Sequence, residues 1–444
     1  MSLTQTARRS GALAAAILCV TGAVSPAAPA ANPVPVRVRV DVSRPQAASS
    51  QVGFLNGLND VQPNQRWVTP LAPTLWRGSP LSAPWPRVDA MGAQFILVLS
   101  DLWGYPRYGA GWRGAPWRDM ERWRAFVRHV VRATSGQPVI WDIWNEPDAP
   151  ASWEGSWRDY LETYLVAYQE LEAAFGPDVR VTGPSLARFE PWRVRSLLEF
   201  CAQRGCRVPD LGWHEIPGES SEVGRIADHL LAARRLADEP GLGAAGARRL
   251  YITEYPGQRD AFLPGELVSY WSQLEHGGAA GAVRACWRDP NGIDTCAAPS
   301  LGGLLDPLTG APRATWWATE WYAEGVGTRV RSSSSRRAVA ALASADRRRR
   351  QAVVLLGLAD LHAGRPPRPA RVTLALRGLG RLLAGSGRSL VVQVERLPAQ
   401  ARHPAGPSTV ETSVVQVHSG AVRLRLRTPL GVHEALRVRV FAAP

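Results

Sequence analysis

WDIWNEPD, residues 141–148, and LYITEYPG, residues 250–257, carry the glutamates Glu146 and Glu254, which stand 108 positions apart. Each glutamate closes a β-branched and aromatic run that reads as a buried strand, and each run breaks at a proline, Pro147 or Pro256. Each carboxylate is therefore expected on the C-terminal lip of a strand. Six further runs extend the pattern: GFLNGL from Gly53, TLWRG from Thr74, AQFILVLSD from Ala93, VRVTGPS from Val179, DLGWHEI from Asp210 and GAVRACW from Gly281. Amphipathic stretches such as 117–132, 160–175 and 223–237 fall between them. Eight strands alternating with helices predict an α/β fold, a (β/α)8 TIM barrel over residues 51–330.

Two carboxylates on the lips of barrel strands suit cleavage of a glycosidic bond. The leaving oxygen must be protonated while the anomeric carbon is attacked from the opposite face. Asn145 supplies an amide for a sugar hydroxyl, and Trp141 and Trp144 are expected to offer aromatic faces to sugar rings. The quartet Trp144, Asn145, Glu146, Pro147 resembles the fourth-strand signature of clan A glycoside hydrolases, and the ITEY of 252–255 resembles their seventh, nucleophile-bearing strand. Within that clan the likeness is nearest to glycoside hydrolase family 39.

The resemblance covers nearly the whole mature chain, with its specific motifs confined to strand ends. It implies that Glu146 is the general acid and base, that Glu254 is the nucleophile, and that Arg77 in TLWRG contacts the nucleophile. It implies further that His214 in GWHEI lines the pocket and that Trp287 forms a platform beneath the sugar. Where clan members often place a tyrosine on the sixth strand, this chain has Glu215 and Ile216 after His214; Tyr255 is then a local candidate for the nucleophile's partner. As an acid near neutral pH, Glu146 would need a pKa raised to roughly 6. Glycosylation of Glu254 would remove a negative charge and let Glu146 act as base. The reaction so read needs no metal and no organic cofactor.

Past Val330 the texture changes. Runs such as RQAVVLLGL, PARVTLALRG, SLVVQVERL and ALRVRVFA alternate apolar and polar residues between Gly, Pro and Ser turns, which predicts an antiparallel β-sandwich over 331–444. Serines 332–335 read as a polar linker. VPVRVRVDV, from Val34 within the segment 31–50, alternates in the same way, and the resemblance implies that it pairs with the C-terminal sheet. All 18 tryptophans lie between Trp67 and Trp321, so the stacking chemistry is expected in the barrel.

At the N-terminus Arg8 and Arg9 precede the apolar stretch GALAAAILCVTGAV, and Ala28 to Ala30 offer a small-residue cleavage site. Residues 1–30 thus read as a signal peptide of a secreted, periplasmic or cell-surface protein, in preference to an uncleaved anchor. Elsewhere no apolar run is long enough to span a bilayer. Removing the leader removes Cys19 and leaves Cys201, Cys206, Cys286 and Cys296. Their close spacing suggests disulfides within each near pair, although four cysteines allow three pairings.

The net charge of +14 invites a nucleic-acid reading, which its distribution opposes. All 52 basic residues are arginine, and from Arg331 onward 20 arginines face five acids, leaving the rest of the chain near −1. No nucleic-acid-binding motif is present. The basic tail could meet an anionic cell surface or polysaccharide, but a solvated arginine-rich surface is the preferred reading. Carbohydrate is the expected partner. A barrel that binds carbohydrate without cleaving it is an alternative that the full set of polar groups opposes, and a transglycosylase shares the same intermediate. Arg288 beside Trp287 is a candidate for a uronic carboxylate, and the tryptophan-rich loop 103–117 hints at an endo-type cleft. Sugar and linkage are not legible.

Overall fold

The computed structural model describes residues 32–79, 85–100, 115–134, 137–216, 220–361, 367–380 and 389–442. The expected leader and most of the loop 103–117 lie outside the described residues. In chain order come β1 (Val34–Pro45), β2 (Gly53–Leu55), α1 (Gln65–Val68), β3 (Leu75–Gly78), α2 (Trp85–Ala90), β4 (Gln94–Val98), α3 (Met120–Ala133), β5 (Val139–Asp142) and α4 (Trp157–Phe175). Then follow β6 (Val181–Leu186), α5 (Pro191–Arg204), β7 (Asp210–His214), α6 (Ile226–Ala237), β8 (Arg249–Tyr255), α7 (Pro264–Gly277), β9 (Gly281–Arg284) and α8 (Ala314–Gly325). Strands β2 to β9 close into a barrel in sequence order. Their pairings are all parallel.

The helices follow from local chemistry. In α4 a capping box between Ser156 and Asp159 satisfies the first free N–H groups, and Gly176 ends the helix. Its buried face repeats at helical spacing through Tyr160, Tyr164, Tyr168 and Leu171. Gly183 on β6 lets that face approach, since a Cβ there would lie 3.2 Å from the Tyr164 ring. Inside the barrel Leu75, Ile96, Ile140, Tyr251 and Val283 form an apolar plug. Two residues along the same strands, alternation brings Arg77 and Asp142 to the layer above it.

The remaining strands are β10 (Arg329–Ser334), β11 (Val339–Asp346), β12 (Gln351–Leu358), β13 (Ala370–Arg377), β14 (Ser389–Leu397), β15 (Ser408–Gln416), β16 (Val422–Arg425) and β17 (Ala435–Ala442). With β1 they form a nine-stranded sheet in the order β15-β14-β17-β12-β11-β10-β1-β13-β16. Only the β1–β13 pairing is parallel; β1 is antiparallel to β10. The N-terminal strand thus joins the C-terminal sheet, as the resemblance implied. The serine run is not a linker: Ser332, Ser333 and Ser334 lie in β10 opposite Val40, Arg39 and Val38. A run of serines lacks apolar alternation, yet the valines of β1 supply the buried face beside it.

Barrel and sheet are packed together, and Pro33–Pro444 form one compact unit. The contact runs through α7, where a Cβ on Gly357 of β12 would meet the Gly265 carbonyl at 2.5 Å. Beside it the buried Glu266 carboxylate accepts the Asp360 N–H at 2.9 Å and lies 2.6 Å from His433 Nδ1. Both expected disulfides are formed, Cys201–Cys206 at the end of α5 and Cys286–Cys296 after β9. Among the described residues no helix is long and apolar enough to cross a membrane.

Candidate active site

Arg77 is the hub of the barrel mouth. Its side chain has no solvent exposure, yet it donates from Nη1 to Glu254 Oε1 at 2.7 Å and from Nη2 to Asn145 Oδ1 at 2.8 Å. Nε and Nη2 also donate to Asp142 Oδ2 at 3.0 and 2.8 Å. Burial works against the guanidinium charge, but Asp142 and Glu254 more than offset it, so the Arg77 pKa lies above its ordinary value. Asp142 is equally buried, which pushes its carboxyl up, while Arg77 and the Ser185 hydroxyl pull it down. The fork of Arg77 ties together three side chains from β5, its following loop and β8, through donors whose directions are fixed as those of an ammonium are not.

Glu146 reaches the site by a different route from Glu254. Strand β5 ends at Asp142, and the backbone at Glu146 is left-handed, with φ of 51°. That conformation is uncommon for a residue with a Cβ. It is held by the Glu146 N–H donating to the carbonyl of Ser185 at 2.9 Å, and Ser185 is itself left-handed, with φ of 47°. The Ser185 hydroxyl meanwhile lies 2.8 and 2.9 Å from the Asp142 oxygens. Two strained residues, one in the loop after β5 and one on β6, are thus joined at the lip.

His214, fully buried at the end of β7, stands between the two glutamates. Its Nδ1 is 3.1 Å from Glu146 Oε1 and its Nε2 is 3.8 Å from Glu254 Oε1. Nε2 has no hydrogen-bond partner among the described residues. Because a carboxylate only accepts, the contact makes Nδ1–H the donor to Glu146. Ser152 Oγ is 3.4 Å from Glu146 Oε2. Burial raises the Glu146 pKa, but the His214 hydrogen bond, the His214 and Arg77 charges and Ser152 outweigh it. In the site as it stands the Glu146 carboxyl therefore lies below the ordinary range, opposite to the sequence expectation of a raised value. The difference has a physical cause: the apolar surroundings are there, and donors accompany them.

The structure also relocates the tryptophans. Trp144 has no exposed surface; its Nε1 donates to the Ser152 carbonyl at 3.0 Å, and its ring meets the edges of Trp123 and Trp153. Trp141 is 2% exposed and packs on Phe175. Neither offers a face to a sugar. Trp144 fixes the loop that carries Asn145 and Glu146 instead. Trp287 remains partly exposed at the lip, with Nε1 donating to the Pro256 carbonyl at 2.9 Å, two residues after Glu254. Asn145 is nearly buried; with Oδ1 held by Arg77, its amide N–H groups are left for a ligand. Tyr255 is not the partner of Glu254, because its hydroxyl donates to the Gln51 carbonyl at 2.6 Å and accepts from Trp271. Glu215 is likewise turned away, bonded to Trp213 and His229. Arg288 is exposed and donates to the Gly292 carbonyl.

Asp142, Ser152 and Ser185 belong to the site and were missed from sequence. Asp142 had a signal, since an acid inside an otherwise apolar strand requires a buried cation. Among the described residues no group of three His, Cys, Asp or Glu side chains could hold a metal ion.

No family model matches the chain. In sequence it is similar to a 3-O-beta-L-arabinopyranosyl-alpha-L-arabinofuranosidase of Bifidobacterium pseudocatenulatum, 26% identical over 356 residues that make up 71% of this chain and 34% of that protein. The chain thus spans about a third of the length of this curated relative. In structure it is similar to a protein from Neocallimastix frontalis, with a TM-score of 0.73 and 20% identity, covering 92% of this chain and 100% of the other. A glycoside hydrolase family 39 enzyme from Xanthomonas axonopodis pv. citri superposes with a TM-score of 0.62 and 14% identity, covering 93% of this chain and 98% of the other. The barrel with its attached sheet is therefore a fold shared with solved clan A glycoside hydrolases, as the strand-end motifs suggested.

Proposed function

We propose that this chain is a retaining glycoside hydrolase that cleaves O-glycosidic bonds of an oligo- or polysaccharide, with Glu146 as acid and base and Glu254 as nucleophile. One observation carries the reading: Arg77 and His214 hold two partly exposed glutamates, 12% and 21% exposed, at the open end of one closed barrel. Arg77 aims Glu254 through the 2.7 Å bond from Nη1 to Oε1, as attack on an anomeric carbon requires. Glu146 sits across His214 from it, where it can protonate the leaving oxygen. A sugar ring entering the mouth sheds water from Glu146, which adds to the burial that already raises its pKa and favours the protonated form. Once Glu254 is glycosylated, its negative charge is gone; Glu146 then accepts the proton of the attacking water. Asn145, fixed through Oδ1, presents its N–H groups to a ring hydroxyl, and Trp287 supplies the apolar face.

The sequence likeness to an arabinofuranosidase supports a glycosidic substrate and makes arabinose-terminated glycans the first to screen. Export through the N-terminal leader is part of the proposal, supported by Arg8, Arg9 and the apolar stretch after them, and by two disulfides in the folded chain. The test is stereochemical. Proton NMR of the first product formed from a glycoside should show the anomeric configuration of the substrate; the opposite anomer would refute double displacement.

A further inference from the structure

On the outward face of the sheet, β1 carries Arg37 and Arg39, β13 carries Arg371 and Arg377, and β16 carries Arg423 and Arg425, all six exposed. The strand register puts them on one face. Arg37 lies opposite Thr373 and Thr373 opposite Arg425; Arg39 lies opposite Ala375 and Ala375 opposite Arg423; Arg377 lies opposite Asp41. Cross-strand partners share a face, and the alternate residues Val36, Val38, Leu374 and Leu424 are buried on the other.

Charge on this face is not balanced from within. Asp41 is the one acid in the three strands, and it is engaged by Ser43 at 2.6 Å, Arg377 at 3.2 Å and Arg44 at 3.6 Å. Among the described residues no carboxylate is in ion-pair contact with Arg37, Arg39, Arg371, Arg423 or Arg425. Like charges gathered on one face repel, so the ladder favours a ligand that brings negative charge. The face also has relief: a groove of about 570 Å3 is floored by Ala375 and flanked by Arg39, Arg377, Arg423, Gln416 and His418.

We propose that this groove and ladder bind an anionic polysaccharide, one bearing carboxylate or sulfate groups on successive sugars. The proposal rests on the reading of the barrel as a glycan-cleaving site, to which it adds a second, non-catalytic contact and a substrate class. Arginine positions recur about 7 Å apart along a strand and, with Thr373 or Ala375 between them, about 10 Å apart across strands, which suits a stiff chain with regularly repeated anions. Ala375 and Thr373 leave room for pyranose rings to lie on the sheet, and Gln416 can bond hydroxyls. The three strands carry no aromatic residue, so bases of a single-stranded nucleic acid would find no stacking platform.

The experiment measures binding of the full chain to polygalacturonate by affinity electrophoresis, with dextran as the neutral comparison and hydrolysis of an aryl glycoside followed separately. The wild type should be retarded by polygalacturonate and not by dextran, with retardation weakening as salt rises. The triple substitution Arg37→Ser, Arg39→Ser, Arg423→Ser should weaken binding by about tenfold or more and leave aryl glycoside hydrolysis and far-ultraviolet dichroism unchanged. The pair Arg348→Ser, Arg349→Ser, in the turn after β11, should change neither. No retardation of the wild type overturns the proposal, and so does equal loss from the two sets of substitutions. Equal affinity for single-stranded DNA or anionic phospholipid vesicles would replace it with general polyanion attraction. Loss of the hydrolytic reading would show in the aryl glycoside assay alone, with binding intact.

Discussion

Replacing His214 by Phe should move the alkaline limb of the pH dependence of kcat/KM upward. His214 Nδ1–H donates to Glu146 Oε1 across 3.1 Å and is the foremost influence holding that carboxyl below its ordinary range against burial. A hydrogen bond to a charged group contributes about 1.5–3 kcal/mol. At about 1.36 kcal/mol per pKa unit, its loss corresponds to a rise of about 1 to 2 units for Glu146. The sign follows from the role: a general acid works protonated, so kcat/KM falls as free-enzyme Glu146 loses its proton, and a higher pKa delays that fall. Phe keeps a planar ring in a fully buried position and removes the donor. Initial rates on an aryl glycoside, measured from strongly acid to mildly alkaline pH, give the limb directly. In the wild type the limb of kcat should also lie above that of kcat/KM, because the bound sugar adds desolvation. A limb that stays in place or moves down in the Phe variant would refute the assignment of Nδ1–H as the group that lowers Glu146.

Arg77→Met should cost about 3–5 kcal/mol of stability, read from urea unfolding, since Asp142 would remain wholly buried without its cation. Burial already pushes Asp142 up, so in this variant protonation relieves the penalty and the deficit should shrink as pH falls. Replacing Cys286 and Cys296 by Ser opens a crosslink of sequence separation 10, which should cost about 2.5 kcal/mol. Because Trp287 adjoins Cys286, KM should rise more than kcat falls. Gly265→Ala would drive a Cβ to 2.5 Å from the Glu434 carbonyl and should destabilise the chain by about 1–3 kcal/mol, seen in unfolding, with aryl glycoside kinetics of the folded fraction preserved.

The barrel was legible because each of its strands is a short apolar run bounded by turn residues, a pattern that depends on local sequence alone. The parts that went astray depend on where a strand stops. In WDIWNEPD, residues 142, 144 and 146 share strand parity, so a continuous strand would send Trp144 and Glu146 to the same side. The strand ends at Asp142 and the left-handed turn at Glu146 breaks the parity, sending Trp144 into the core and Glu146 to the mouth. Asp142 signalled a buried cation without naming it, and Ser185 stayed hidden, because their partners lie across strands, Arg77 for the first and Asp142 for the second. Tyr255 shares strand parity with Tyr251 of the barrel plug, but a register shift in β8 between Ile252 and Tyr255 turns its ring outward to Gln51 and Trp271. The serines of β10 show the same limit, since the strand that pairs with them lies far away near the N-terminus.

The assignment of roles to the two glutamates is tested most directly by a dinitrophenyl glycoside offered to Glu146→Ala and Glu254→Ala with and without azide. Dinitrophenolate leaves without a proton, so Glu146→Ala should still form the glycosyl-enzyme, and azide should restore turnover with a glycosyl azide of retained configuration. Glu254→Ala lacks the nucleophile, so the activated leaving group should not help, and any azide product should be inverted. The converse result, with Glu254→Ala active on the dinitrophenyl glycoside and Glu146→Ala inert to it, would contradict the account.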